Sequence, residues 1–340
     1  MGKVFKILSI DGGGIKGLYS ACILKQIEEK YNCQMADYFD MICGTSTGGL
    51  ISLALTRGKK AYEVADFYAL KGGQIFPYQN VYTRLYGFLK QIFWGGKYGD
   101  NILKKSIEEF IGKETKMNDA STLLCIPSFN LTHGQPIIFK YPHSEGGFTR
   151  DGNLKMVDVA LATSAAPTYF PIAELDYPQI KGLFIDGGVW SNNPTLCGLL
   201  EGLTYFVGEG KEFTSYSILS IASITPPNGW RMGVNKRKSF IGWKDKLFQT
   251  PLDGQNFFAD FFTEKIVQHT APKGTYMRIP SPSQISIEHI KNIDLDKAGE
   301  ASIKILQSLG NQQGIDYTTK KIYQTKLDEF FKEKKLYITK

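Results

Sequence analysis

Histidine is scarce in this sequence and paired cysteine is absent: four histidines and five cysteines are scattered over 340 residues. The cysteines (Cys22, Cys33, Cys43, Cys125, Cys197) include no CxxC pair and have no histidine cluster nearby, which argues against a zinc site and a disulfide framework. They are expected to be reduced, buried and structural, with no metal bound. No apolar stretch approaches the roughly 20 residues needed to cross a bilayer. The opening MGKVFKILSI runs into a glycine turn with no cleavage site, and Lys6 stands where an N-myristoylation signal wants Ser or Thr. A cytosolic protein is the expectation. A GxxxxGK[ST] phosphate loop is also missing. No helix-turn-helix, zinc-finger or RNA-recognition pattern accompanies the basic residues, so nucleic acid is not an expected partner.

What is present, 42% hydrophobic and 21% charged residues with 35 glycines, describes a globular protein rich in tight turns. The length suffices for a large core and reads best as one elaborated domain. A net charge of +7 favours anionic surfaces or ligands at long range without naming one, and self-association is left open.

Val4 to Ile10 is a nearly continuous apolar run, as expected for a central parallel strand covered on both faces. The turn DGGGIKG then leads into apolar residues at helical spacing, Leu18, Cys22, Ile23 and Ile27. Strand, turn and helix recur at residues 39–43, 44–48 and 49–55. LLCIPSFN and PIIFKY predict two further strands, MVDVALATSA a helix stopped by Pro167, and GLFIDGG a strand entering another glycine turn. SNNPTLCGLLEGL predicts a helix with Asn193 as N-cap and Pro194 at its first position, and YSILSIAS a buried strand. This alternation predicts an α/β fold with a central, mostly parallel sheet flanked by helices; the strand order is not legible. Beyond Pro226 the pattern becomes mixed, with basic residues, the aromatic segment FFADFF and two C-terminal helix candidates. The chain thus divides into a core, residues 1–225, and a region 226–340 packed on it within one continuous domain, a candidate lid or regulatory part.

Function in such sheets collects at the carboxyl ends of strands, and three glycine turns follow strands here. The central one, Gly44-Thr45-Ser46-Thr47-Gly48, is a GxSxG sequence, whose small flanking residues permit the strained strand-to-helix bend that holds a serine hydroxyl outward. A serine nucleophile needs an oxyanion hole and a base. Gly12, Gly13 and Gly14 supply the first, because side-chain-free backbone can turn N–H groups inward and approach a substrate closely. For the base, His133 and His143 precede the acid in the chain, while His269 and His289 lie in the less regular C-terminal part. Asp186 is the more economical candidate, as a strand-end aspartate able to take the serine proton directly; Asp11 has similar surroundings and spacing does not exclude it. Gly12-x-Gly14-x-x-Gly17 formally matches a dinucleotide fingerprint, but no acidic residue closes a strand about 20 residues on. An actin-like kinase, which also places Asp-Gly turns after strands, and a non-catalytic nucleotide-sensing module are the rivals from other classes.

Four blocks in order, Asp11-Gly12-Gly13-Gly14-Ile15-Lys16-Gly17, Gly44-Thr45-Ser46-Thr47-Gly48, Ala162-Thr163-Ser164-Ala165-Ala166-Pro167 and Asp186-Gly187-Gly188, resemble the patatin-like phospholipases. They span about the first 190 residues. The resemblance implies the layered patatin-like fold and a lipid acyl hydrolase without metal or organic cofactor. It implies Ser46 as nucleophile, Asp186 as base and N–H groups of Gly12, Gly13 and Gly14 as oxyanion hole, and it assigns Asp11 to shaping that turn. Lys16 departs from the Arg of many members, which keeps the charge and loses a bidentate fork. The opening and the length are also similar to bacterial effector phospholipases that a cyclic dinucleotide activates to degrade the cell's own membrane in anti-phage signalling. That narrower likeness implies a cyclic dinucleotide activator and transient contact with the inner membrane.

Two segments mix aromatic and basic residues as interfacial anchors do: RLYGFLKQIFWGGKYG, residues 84–99, and FIGWKDKLF, residues 240–248. The cluster Arg231, Lys236, Arg237 and Lys238 is a candidate grip for nucleotide phosphates or lipid headgroups.

Overall fold

A computed structural model of the chain describes residues 2–77, 96–226, 229, 232–234, 236–237, 239–243, 246–337 and 339. Arg231, Lys238 and residues 84–95 of the first aromatic-basic segment lie outside the described residues. Among those described, eight strands form one sheet: β1 (Val4–Ile10), β2 (Met41–Gly44), β3 (Leu123–Asn130), β4 (Gln135–Lys140), β5 (Ala173–Tyr177), β6 (Ile180–Asp186), β7 (Ser215–Ile221) and β8 (Gly274–Ile279). The order is β5-β6-β3-β2-β1-β7-β8, with β4 paired to β3 off that path. β3, β2, β1, β7 and β8 are mutually parallel; β4, β6 and β5 join antiparallel. β8 comes from the region beyond Pro226 that the sequence left as mixed.

The helices are α1 (Gly17–Tyr31), α2 (Thr47–Thr56), α3 (Ala61–Ile75), α4 (Asn101–Ile111), α5 (Met156–Ser164), α6 (Thr195–Glu201), α7 (Lys246–His269), α8 (Glu300–Thr319) and α9 (Lys321–Asp328), with shorter turns between them. Alternation along β1 sorts them into layers. Ser9 on one face shares a buried hydrogen bond with Thr195 of α6, and Phe5 stacks on Phe206 just beyond that helix. Lys6 on the other face donates to the carbonyl of Phe330, whose neighbour Phe331 stacks on Tyr31 of α1. α1 in turn packs along α3 and α8. β1 is buried from Phe5 to Ile10, which explains its unbroken apolar run. Pro194 is the N-cap of α6 rather than its first residue, and Asn193 caps through Oδ1, which accepts from Thr195 N at 3.1 Å. Cys22, Cys43, Cys125 and Cys197 are buried free thiols, whereas Cys33 is half-buried.

One register detail prepares the site. Cys125 of β3 pairs with both Cys43 and Lys140, and Ser128 pairs with both Asp186 and Ile137. Because β4 runs along one edge of β3 throughout, β2 and β6 must share the opposite edge, one after the other. β2 is parallel to β3 and β6 antiparallel, so their carboxyl ends meet head-on. The turn after β2 carries Ser46, and β6 ends at Asp186.

Candidate active site

Ser46 sits between β2 and α2 with φ 54° and ψ −121°, a conformation costly for a residue with a Cβ. The surroundings hold it there. A Cβ on Gly44 would meet the Gly48 carbonyl oxygen at 2.1 Å, and one on Gly48 would meet the Ile10 carbonyl oxygen at 2.2 Å, so both glycines of GxSxG are needed for the turn to close against β1. Thr45 Oγ1 donates to the Ser191 carbonyl at 2.6 Å. Ser46 N donates to Thr163 Oγ1 at 2.9 Å, and Thr163 Oγ1 donates to the Pro127 carbonyl at 2.6 Å. With its backbone pinned on both sides, the serine side chain points away from the turn and into a cavity, at the positive end of α2.

Asp186 lies across from it. Its carboxyl is near enough to the Ser46 hydroxyl for that group to favour the ionised form, and Oδ1 accepts from Gly188 N at 2.7 Å. The same segment that pins the serine pins the aspartate: Asp186 N donates to the Ala165 carbonyl and Gly187 N to that of Thr163. Thr163 thereby holds Ser46 directly and Asp186 through its neighbour Gly187. Burial pushes the Asp186 carboxyl up to about 6, against the Ser46 hydroxyl and Gly188 N, which favour its ionised form.

The glycine turn crosses the carboxyl end of β1. Gly12 N already donates to the Asn192 carbonyl at 2.9 Å, which narrows the three glycine donors of the sequence reading. Gly13 N and Gly14 N have no acceptor among the described residues, and both glycines line the cavity with Ser46 and Asp186. Gly14 has φ 58°, and a Cβ there would strike the Leu295 carbonyl oxygen at 2.2 Å.

Asp11 does not face the serine. Its carboxylate is gripped bidentately by Arg278 of β8, at 2.5 Å and 3.2 Å. Burial raises the Asp11 carboxyl and Arg278 opposes it, while Asp11 holds the guanidinium firmly cationic. Arg278 Nη1 also donates to Ser220 Oγ at 2.5 Å. This pair ties β8 to the root of the glycine turn. Removing one partner leaves a buried charge alone, so Arg278→Met should destabilise the fold by about 3–5 kcal/mol. Adding Asp11→Asn should recover at least half of that loss in a denaturant double-mutant cycle; simple additivity would refute a coupled pair.

The cavity measures about 270 Å³. Its lining is largely apolar, with Leu50, Tyr68, Ile75, Phe76, Leu103 and Phe170 among it, and also includes Ser46, Asp186, the glycine turn and Lys16. Burial lowers the Lys16 ammonium, with the carboxylates of Asp294, Asp253 and Asp11 opposing. None of the four histidines lines it. His143 is buried elsewhere, with Nε2 2.9 Å from Glu201. Lys236 and Arg237 are exposed and lie outside the cavity lining. Among the described residues no group of three or more His, Cys, Asp and Glu side chains converges to hold a metal ion. Sequence reasoning missed Arg278 and Asn192, and it quoted Thr163 only inside a motif. The signal for Thr163 was there in ALATSAAP; Arg278 carries none, because its partner is 267 residues away.

An outward, strained serine and a buried carboxyl on one cavity wall, beside unpaired backbone donors in a largely apolar cavity, fit the arrangement of a serine hydrolase. The sequence profile of the patatin-like phospholipases matches residues 8–196, and the chain belongs to that family. A cGAMP-activated phospholipase of Vibrio cholerae is 33% identical, across 96% of this chain and 94% of that protein. One from Escherichia coli is 32% identical, across 90% and 88%. Among solved structures, human GIVD cytosolic phospholipase A2 aligns with 97% of this chain and 60% of its own, at a TM-score of 0.45 and 11% identity.

Proposed function

We propose that the chain hydrolyses acyl esters of glycerophospholipids through an acyl-Ser46 intermediate, and that a cyclic dinucleotide switches this on against the cell's own membrane in anti-phage defence. The placement of Ser46 and Asp186 on one cavity wall, with the serine hydroxyl acting on the carboxyl, carries the first half. Ser46 Oγ attacks the ester carbonyl as its proton passes to Asp186, and the oxyanion accepts hydrogen bonds from Gly13 N and Gly14 N. Collapse expels the glycerol oxygen, which takes the proton back from Asp186. Water, deprotonated by Asp186, then attacks the acyl-serine, and collapse releases the fatty acid as Ser46 Oγ takes that proton back from Asp186. The apolar cavity wall receives the acyl chain.

The activation half draws on the relatives named for cGAMP. Lys236 and Arg237, with Arg231 and Lys238, are the candidate contacts for the activator's phosphates. Residues 1–225 supply the nucleophile and base, and residues 226–340 complete the site through Arg278 and α7.

Fatty-acid release from phosphatidylglycerol and phosphatidylethanolamine vesicles tests the reading, with wild type and Ser46→Ala each assayed with and without a cyclic di- and trinucleotide panel that includes cGAMP. Release that requires both Ser46 and one nucleotide is the expected result. Equal release without nucleotide would remove the activation half, and release by Ser46→Ala would remove the nucleophile.

A further inference from the structure

An amphipathic helix normally turns its apolar stripe inward. The stretch of α7 around FFADFF does the reverse. Phe257, Phe258, Phe261 and Phe262 are 70%, 53%, 42% and 43% exposed, whereas Ala259 and Thr263 are buried. At 3.6 residues per turn the four rings occupy one continuous arc of about 140°. They touch one another along it: Phe258 and Phe262 lie 4.2 Å apart between centroids, and Phe261 and Phe262 5.7 Å. The inner arc mixes Leu252, Ala259 and Ile266 with polar contacts. Gln255 Nε2 donates to the Val189 carbonyl at 2.9 Å, and Asn256 Oδ1 accepts from Asn192 Nδ2 at 3.0 Å.

Those inner contacts join the helix to the catalytic cavity, whose wall includes Leu247, Leu252, Gln255 and Asn256. Val189, on the cavity wall beside Gln255, is itself 40% exposed. One helix therefore closes the cavity with its inner face and offers four phenylalanines to the outside. We infer that this face enters the hydrocarbon edge of a phospholipid bilayer, so that the cavity opens where its substrate lies; the inference rests on the lipid-hydrolase reading above.

A bilayer suits the patch better than a second protein chain does. On the 150–250 Å² that an aromatic side chain carries, the four rings leave roughly 400 Å² uncovered, about half of the ~800 Å² each partner gives to a stable protein complex. Patches of a few hundred Å² of this kind mark membrane or partner contacts. Lys265 lies over the Phe261 ring with Nζ 5.5 Å from its centroid, the placement of a lysine that lays its stem on apolar surface and keeps its head in the polar layer. The net charge of +7 adds long-range attraction to anionic lipid.

The test uses Ser46→Ala as parent, so that vesicles stay intact, floated with phosphatidylglycerol–phosphatidylethanolamine vesicles with and without the nucleotide panel. The parent should co-float under at least one condition. Replacing Phe257, Phe258, Phe261 and Phe262 together by Ser should weaken binding by at least about tenfold, since the apolar area that the four rings would bury in the bilayer is lost. Phe258→Trp in the parent should add an indole emission that shifts to the blue when vesicles are added. With Ser46 restored, the four-serine variant should still hydrolyse a dissolved short-chain ester while losing release from vesicles. A parent that never floats, equal binding by the four-serine variant, or an unshifted emission from Phe258→Trp overturns the inference. So does light scattering in which the variant loses a dimer and keeps its vesicle binding. If wild type cleaves neither ester, the lipid-hydrolase reading fails, and the flotation and emission results still judge the face.

Discussion

Asp186→Asn should lower turnover about 10⁴-fold, the scale of loss when the carboxylate of a serine hydrolase's catalytic group is replaced by its amide. The same substitution should make the fold more stable at pH 8. Burial pushes the Asp186 carboxyl up to about 6 from an ordinary 3.8. A raised folded value means that the native state binds this proton more tightly than the unfolded chain does. The group thus favours folding below about 4 and works against it fully above about 6. Asparagine carries no charge and keeps an oxygen for Gly188 N, so the gain at pH 8 amounts to up to about 3 kcal/mol and fades at pH 4. Urea unfolding at the two pH values reads it directly. A variant less stable than wild type at pH 8 would contradict the burial penalty. In wild type, kcat/KM should rise with pH through about 6 and then level, because the base acts in its ionised form. A flat profile from pH 5 to 8 would remove Asp186 as the base.

Gly13 is the second position where a small change should have a large effect. Its φ of 170° is ordinary extended backbone, so space alone decides what it tolerates. A Cβ there would meet Ser223 Oγ at 2.3 Å and Lys16 Cε at 3.2 Å. The turn must move to admit it, and Gly13 N and Gly14 N move with it. Losing one oxyanion donor typically costs 10²- to 10³-fold in rate, about 2.7–4 kcal/mol. Gly13→Ala should lose that much, and Gly13→Leu should be inactive with its near-native circular dichroism retained. The obstacle is a single hydroxyl, itself buried without a hydrogen-bond partner among the described residues. Ser223→Gly should therefore restore Gly13→Ala at least tenfold, while gaining nothing in the Gly13 background. Near-normal activity in Gly13→Leu would reject the oxyanion assignment.

Much of the site is legible in the chain because its parts are local. A glycine-flanked serine between an apolar run and helical spacing can hardly be anything but a strand-to-helix turn, and the bend needs only Gly44 and Gly48 to close. Asp186 at the end of GLFIDGG is local in the same way. The alternation of strands and helices announces an α/β sheet, since each pattern is set by neighbours three or four residues away.

The choice between Asp11 and Asp186 is of another kind. Both aspartates close a strand before glycines, and no local rule separates them. What separates them is partnership: Asp11 meets Arg278 from a parallel strand 267 residues on, while Asp186 meets Ser46 because β2 and β6 share one edge of β3 end to end. Gly12 is removed as a donor by the Asn192 carbonyl, and only the packed chain brings the two together. FFADFF shows the same limit from the opposite direction. Its composition does not say which way it faces, and only the packing of α7, with Asn256 on Asn192 and Gln255 on Val189, puts the four rings outside. By itself the sequence determined the turns, the outward-held serine and the class of fold, because bond geometry and short-range periodicity govern those. Tertiary structure alone decided which carboxylate lies on the cavity wall with the serine, which backbone donors stay unpaired and which face of α7 meets the outside. Each of those depends on a contact between residues far apart in the chain, and local pattern carries no trace of it.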